Sequence, residues 1–250
     1  VFFCFGDKAY FGKSKLMPKR HLYFSLIFLV LACLNIAALS DRFPGLNMLV
    51  KPLICISLAI YLMRRCKMRA GFNRLVLTAL LFSCLGDSLL LFQSEHSNLF
   101  IYGLISFLLA HAAYSIAFFR DFKNDPQASK VFGHAMLFVM GVFSLSYYSL
   151  LRESLHALRM PVLAYIFVIS IMTILAGYRY KRVNLLSFKL IFIGAIFFVA
   201  SDSLLAYHKF VESFDYAGIA VMGTYMLAQY LIVMGVVDRE VTPGPAVVAT

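Results

Sequence analysis

Residues 188–207 read FKLIFIGAIFFVASDSLLAY. Lys189 and Asp202 are the only charged residues in that run. A helix needs about 20 predominantly apolar residues to cross a bilayer's hydrocarbon core, and this stretch has the length and the composition. Similar runs recur outward from it in both directions, at 22–39, 49–63, 73–92, 99–119, 133–150, 161–178, 188–207 and 216–237. The second is the shortest; it holds Lys51-Pro52 near its start, and proline fits a first helical turn. Short linkers with breakers separate the runs, at Asp41 to Gly45, Asn124 to Pro126 and Arg159 to Pro161. The predicted fold is all-α: one polytopic membrane domain over residues 1–250, with eight transmembrane helices.

Composition supports this. Hydrophobic residues are 62% of the chain and charged residues 14%, against about 45–50% and about 25% in soluble domains. Lipid must solvate much of that apolar surface, and no segment is left for a separate soluble domain. The net charge is +11, which in a soluble protein would suggest nucleic acid. Here the cations sit in short linkers, where they fix orientation and meet anionic headgroups, and no basic face remains for nucleic acid. Assigning Lys and Arg to alternate sides gives eighteen on one side and five on the other. The positive side is expected to be cytoplasmic, with both termini there. The five cysteines, Cys4, Cys33, Cys55, Cys66 and Cys84, form no C-x-x-C pair and no disulfide framework is read; three of them lie within apolar spans, where cysteine behaves as a small hydrophobe. The opening VFFCF is too short for a signal-peptide core.

The stretch also has a counterpart. Residues 81–92, LFSCLGDSLLLF, and 196–207, IFFVASDSLLAY, are identical at five of twelve positions, including D-S-L-L. Both would run from the inner to the outer side, so the chain reads as two parallel four-helix halves.

Few ionisable groups lie deep in the spans: Asp87, His111 and Asp202. His134 falls at the edge of the fifth. A carboxylate at the bilayer centre costs about 2.5–3.5 kcal/mol on insertion scales, so a pair of them calls for a function. Each aspartate is expected about 20 Å from the cytoplasmic start of its helix. Two carboxyls facing each other in low dielectric cannot both ionise easily, which makes an acid and a base in one pocket. Polar neighbours to line it are His111 and Tyr114 at i, i+3, Tyr225 and Gln229 at i, i+4, and Tyr165; each of these also fits a plain helix–helix hydrogen bond. His111 is expected several residues deeper than Asp87. Asn35 is polar in the middle of the first span. A catalytic zinc site wants two or three histidines, and one lies deep here, so no metal is expected. Ser88 and Ser203 each follow an aspartate without a histidine base nearby and read as packing residues. No G-x-S-x-G, H-E-x-x-H or phosphate-cradling glycine loop occurs.

Several segments carry a resemblance: KPL at 51–53, LLFSCLGDSLLL at 80–91, GLISFLLAHAAYSIAF at 103–118, PVLAYIFVISIM at 161–172, GAIFFVASDSLLAYHKF at 194–210 and YMLAQYLI at 225–232. Together they resemble the lysoplasmalogenase, or YhhN-like, membrane proteins. The resemblance departs at Met226 and Leu227, where the family often carries a second tyrosine before A-Q, and around 179–189, where no feature matches. It implies eight spans and Asp87 and Asp202 as the catalytic acids; Lys51, His111, Tyr114, Tyr165, Tyr225 and Gln229 are the candidate substrate-binding residues beside them. It implies no cofactor, a lysoplasmalogen lipid as substrate, and the endoplasmic reticulum membrane as location. The implied reaction is hydrolysis of the vinyl ether to a fatty aldehyde and glycerophosphocholine or glycerophosphoethanolamine. That chemistry suits the residues. Vinyl ethers hydrolyse by protonation of the β-carbon, giving an oxocarbenium ion that water captures, and carboxyl pairs serve a related ion in glycosidases. A lipid or solute transporter, or a lipid-binding protein without catalysis, would use the same features.

Overall fold

The computed structural model describes residues 19–39, 44–69, 71–93 and 97–241. The N-terminal tail with Cys4, and residues 41–43 of the first linker, lie outside them. Among the described residues eight helices follow in order: α1 (Lys19–Ala38), α2 (Pro44–Arg65), α3 (Gly71–Leu91), α4 (Ser97–Asn124), α5 (Val131–Leu151), α6 (Arg159–Tyr178), α7 (Leu185–Phe210) and α8 (Ala217–Val237). All eight are long and apolar enough to span a membrane. Helices meet the bilayer's demand that every backbone polar group be satisfied within the segment. One large apolar core draws side chains from all eight, a smaller one gathers Leu151, Leu155, Val162 and Ile166, and Leu137, Phe138, Val142 and Leu145 on α5 point outward, exposed, as a face solvated by lipid would.

The second helix differs from its expected limits. It begins at Pro44, so Pro52 lies inside the helix instead of in its first turn. The missing N–H costs one backbone bond, a loss that membrane helices tolerate when neighbours re-satisfy the freed groups. Lys51, counted above with the linker charges, is thereby carried two turns into the bundle.

Helix pairing has a regular pattern. α1 packs on α2, α2 on α3, α3 on α4 and α2 on α8; adding four to each number gives α5 on α6, α6 on α7, α7 on α8 and α6 on α4, all of which occur. The closest approach is α7 to α8. A Cβ at Gly194 would stand 2.9 Å from the Ala228 carbonyl oxygen, so only glycine lets these backbones meet.

One end of the bundle is tied by buried ion pairs. Asp121 on α4 accepts from Arg179 Nε at 2.8 Å and from Arg239 Nε at 3.0 Å. Arg179 also donates to the Ser187 hydroxyl at 3.0 Å, and Ser187 donates to the Gly235 carbonyl at 2.6 Å. Arg182 donates to the carbonyls of Asp125, Ala128, Ser129 and Tyr178, holding the α4–α5 link. Arg179 and Arg182 are both fully buried. They were expected to touch lipid headgroups, but their carbonyl and carboxylate partners lie inside the protein. Burial lowers the Arg179 guanidinium from its ordinary value, and the Asp121 charge offsets part of that. Asp121→Ala would leave buried guanidinium without its carboxylate, a loss of about 3–5 kcal/mol. We expect its thermal unfolding in detergent to fall well below that of the native chain; an unchanged melting temperature would mean the cluster is not structural. At the same end His21 on α1 bonds the Tyr61 hydroxyl and, at 3.1 Å, Asp238 after α8. The start of α1 and the end of α8 therefore meet at one end, as an even number of spans requires.

Candidate active site

The two aspartates occupy matching places: Asp87 is 16 residues beyond the start of α3 at Gly71, and Asp202 is 17 beyond the start of α7 at Leu185. Each meets the second helix of its own half and the fourth helix of the other. Asp202 faces α6 and α4. Its Oδ2 accepts from the Tyr165 hydroxyl at 2.6 Å and lies 2.9 Å from His111 Nε2, which is itself 3.0 Å from the same hydroxyl. With both donors aimed at one carboxylate oxygen, the proton of a neutral imidazole is assigned to Nε2. His111 Nδ1 is buried and has no hydrogen-bond partner among the described residues. Asp202 Oδ1 makes no hydrogen bond among the described residues.

Asp87 faces α2 and α8. Its Oδ2 accepts from the Tyr225 hydroxyl at 2.7 Å, with the Cys55 thiol 3.7 Å away, and Lys51 Nζ stands 4.0 Å from Oδ1. Behind Tyr225 runs a chain of donors: Tyr114 gives its hydroxyl proton to Gln229 Oε1 at 2.7 Å, and Gln229 Nε2 donates to the Tyr225 oxygen at 3.4 Å. Every bond is directed toward the carboxylate, a pattern suited to an acceptor-only group.

The candidates thus divide between two networks. His111, Tyr165 and Asp202 converge; Lys51, Tyr114, Tyr225 and Gln229 gather at Asp87. The carboxylates were expected to face each other; among the described residues no hydrogen bond joins them. Aromatic rings stand between the networks: Phe198 meets His111 at 4.6 Å and Tyr225 at 5.5 Å between ring centroids, and Phe107 meets Tyr225 at 5.8 Å. The expected depth difference of His111 is resolved by its partner. Phe107, one turn outward on α4, packs where a Gly86 side chain would stand, and His111 reaches across to α7.

The Asp202 network opens to a cavity. A narrow apolar cleft of about 50 Å³ runs between α4, α5, α6 and α7. Phe107, Phe143 and Val199 line its inner part and Phe100, Leu151 and Phe210 its outer part. Its polar lining residues are Tyr147, Tyr165, Asp202 and Ser203. The Asp202 side chain is 15% exposed and that of Asp87 3%, so Asp87 is sealed from the cleft behind the Phe107 ring.

Some participants escaped the sequence reading. Cys55, taken as a small hydrophobe, has its sulfur 3.1 Å from the Tyr225 hydroxyl; its i, i+4 spacing from Lys51 was the available signal. Tyr147 lines the cleft and donates to the Ser203 carbonyl at 2.5 Å. Ser88 and Ser203 bond carbonyls one turn back in their own helices, at 2.8 and 2.6 Å, as packing residues do. Asn35 is fully buried, and neither polar side-chain atom has a partner among the described residues. Among the described residues no three His, Cys, Asp or Glu side chains are grouped as metal ligands would be.

Fold and site together define a polytopic membrane protein with two carboxylates set among tyrosines inside an eight-helix bundle. The chain belongs to the YhhN family, whose model matches residues 46–236. Over 173 residues it is 30% identical to human lysoplasmalogenase TMEM86A, covering 66% of each chain. Over 197 residues it is 27% identical to rat lysoplasmalogenase TMEM86B, covering 78% of this chain and 74% of the relative. The bovine TMEM86A protein is 26% identical over 173 residues. The match thus spans about two thirds of the human and bovine relatives' length, 66% in each. No solved structure matches the chain.

Proposed function

We propose that this protein is a lysoplasmalogenase, an ether hydrolase acting on lysoplasmalogens within the membrane. The observation that carries the reading is the place of Asp202: a carboxyl whose Oδ2 is fixed by two donors while Oδ1 makes no hydrogen bond among the described residues, in a largely apolar cleft of a chain related to lysoplasmalogenases.

The reaction needs a proton on carbon. Asp202 gives a proton to the β-carbon of the vinyl ether, and the α-carbon and its oxygen share the resulting positive charge. The carboxylate so formed stabilises that cation across a low-dielectric gap, where charges interact more strongly than in water. It then takes a proton from the water that adds to the α-carbon. The hemiacetal collapses to a fatty aldehyde and the glycerophospho alcohol, with one water consumed and Asp202 reprotonated. His111 and Tyr165 hold Oδ2, so the acid does not rotate out of line. Asp87 acts at a distance: fixed by Tyr225 and screened by Phe107, it adds negative potential near the cation without touching substrate. Lys51, Tyr114 and Gln229 keep that charge in place. The arrangement needs no cofactor.

Location follows the resemblance and the charge asymmetry: the endoplasmic reticulum membrane, both chain ends cytoplasmic. The direct test is aldehyde release from a lysoplasmalogen by the purified protein in detergent. We expect multiple turnovers, with glycerophosphocholine or glycerophosphoethanolamine formed in equal amount. Specific binding without aldehyde would leave a lipid-binding protein in place of an enzyme.

A further inference from the structure

The cleft has a cation at its mouth that the reaction above does not use. Lys209 lies seven residues beyond Asp202 on α7, two turns along the same helix face, with Leu205 and Ala206 between them as cleft-lining residues. That offset is about 10 Å toward the outer end. The side chain does not turn away from the cleft. Its ammonium sits 5.0 Å from the centroid of the Phe100 ring, and Phe100 meets Phe210 edge-on at 5.8 Å; both rings line the outer part of the cleft. No carboxylate pairs with Lys209 among the described residues. The nearest acid in sequence, Glu212, accepts instead from the Tyr207 hydroxyl at 3.4 Å. An ammonium with no carboxylate partner among the described residues thus stands over an aromatic wall of the cleft, on the side expected to carry few cations.

We propose that Lys209 binds the headgroup phosphate of a single-chain phospholipid and so sets which bond of that lipid meets Asp202. This rests on the lysolipid reading given above and deepens it. In such a lipid the phosphate and the first chain carbons are separated by the glycerol backbone. An extended glycerol descending from an ammonium two turns above Asp202 brings the ether end of the chain, not its middle, beside the carboxyl. Above Asp202 the walls are apolar and close together, which suits a bare glycerol with a free hydroxyl better than one bearing a second acyl chain. A strongly charged phosphate cannot be buried beyond Asp202, where Tyr114, Phe198 and Gln229 are fully buried and packed. It belongs at the mouth.

The test uses binding, so that it stands apart from catalysis. The probes are 1-O-hexadecyl-lysophosphatidylcholine and 1-O-hexadecylglycerol, saturated ethers differing by the phosphocholine group, titrated into the native chain and into Lys209→Gln and Lys209→Arg in detergent. The native chain is expected to prefer the phospholipid. Lys209→Gln should weaken its binding about tenfold or more, the scale of one charge-assisted hydrogen bond, and bring the two probes close together. Lys209→Arg should restore the preference. Equal affinities of native and Gln chains for the phospholipid would overturn the assignment even if the protein proves to be an active hydrolase. Conversely, a lost preference in the Gln chain alone would support it even if no vinyl ether is cleaved.

Discussion

Asp202→Asn is expected to lower vinyl ether turnover by about 10²–10⁴-fold, the usual contribution of a positioned proton donor, while membrane insertion and thermal stability stay as in the native chain. Asparagine is nearly isosteric. Its carbonyl oxygen can take the place of Oδ2 and accept from both Tyr165 and His111, with its amide nitrogen turned to the cleft. The geometry survives and the transferable proton is lost. Asp87→Asn is the informative contrast. Its carbonyl can still accept from Tyr225, but Lys51, whose side chain is only 14% exposed and lies 4.0 Å away, loses its counter-charge. Here melting temperature and turnover should fall together. The Asp87→Asn, Lys51→Met double variant, which removes both charges, should melt higher than Asp87→Asn alone and remain slow. The measurements are aldehyde release and thermal unfolding on the same preparations. Near-native turnover in Asp202→Asn would remove the proposed mechanism.

The eight spans were legible because lipid imposes one blunt rule: about 20 apolar residues wherever the chain crosses. Their ends were less so. Pro52 seemed to mark the start of a helix, yet α2 begins at Pro44, since a membrane helix accepts a proline whose lost bond others can make good. Asp87, His111 and Asp202 stood out in the sequence because each is costly in hydrocarbon. How they divide was hidden, because partner choice depends on which helices meet. An i, i+3 spacing put His111 and Tyr114 on one side of α4, but could not show that one bonds Asp202 and the other Gln229. Arg179 and Arg182 were misplaced for a similar reason. In a linker they look like headgroup ligands, and only the fold brings Asp121 and a set of free carbonyls to them. Cys55 was invisible as a polar group, since a thiol counts as apolar until an acceptor lies beside it.

The chemistry of carbon protonation makes the other large prediction. A lysolipid whose chain is attached by a saturated ether should bind and compete with the vinyl ether, but should not be cleaved. Its headgroup and chain are almost unchanged, so contacts with the cleft walls persist. It has no π-electrons at the β-carbon to accept the proton of Asp202, and the oxocarbenium route is closed. An ester-linked lysolipid should resist as well. Ser201 and Ser203, which flank Asp202 in sequence, donate to the Val221 and Val199 carbonyls at 3.0 and 2.6 Å, and His111 is engaged with Asp202 and Tyr165, so among the described residues the site has no serine activated by a histidine base. The three lipids, assayed side by side for aldehyde and fatty acid release, should give turnover with the vinyl ether alone. Comparable ester cleavage would mark a general lysophospholipase and sink the proposal. The same assay in deuterated water bears on the slow step. Proton transfer to carbon should make the vinyl ether reaction slower there, because the proton in flight comes from a carboxyl that exchanges with solvent. Where chemistry limits the rate, equal rates in the two solvents would mean that Asp202 does not deliver that proton.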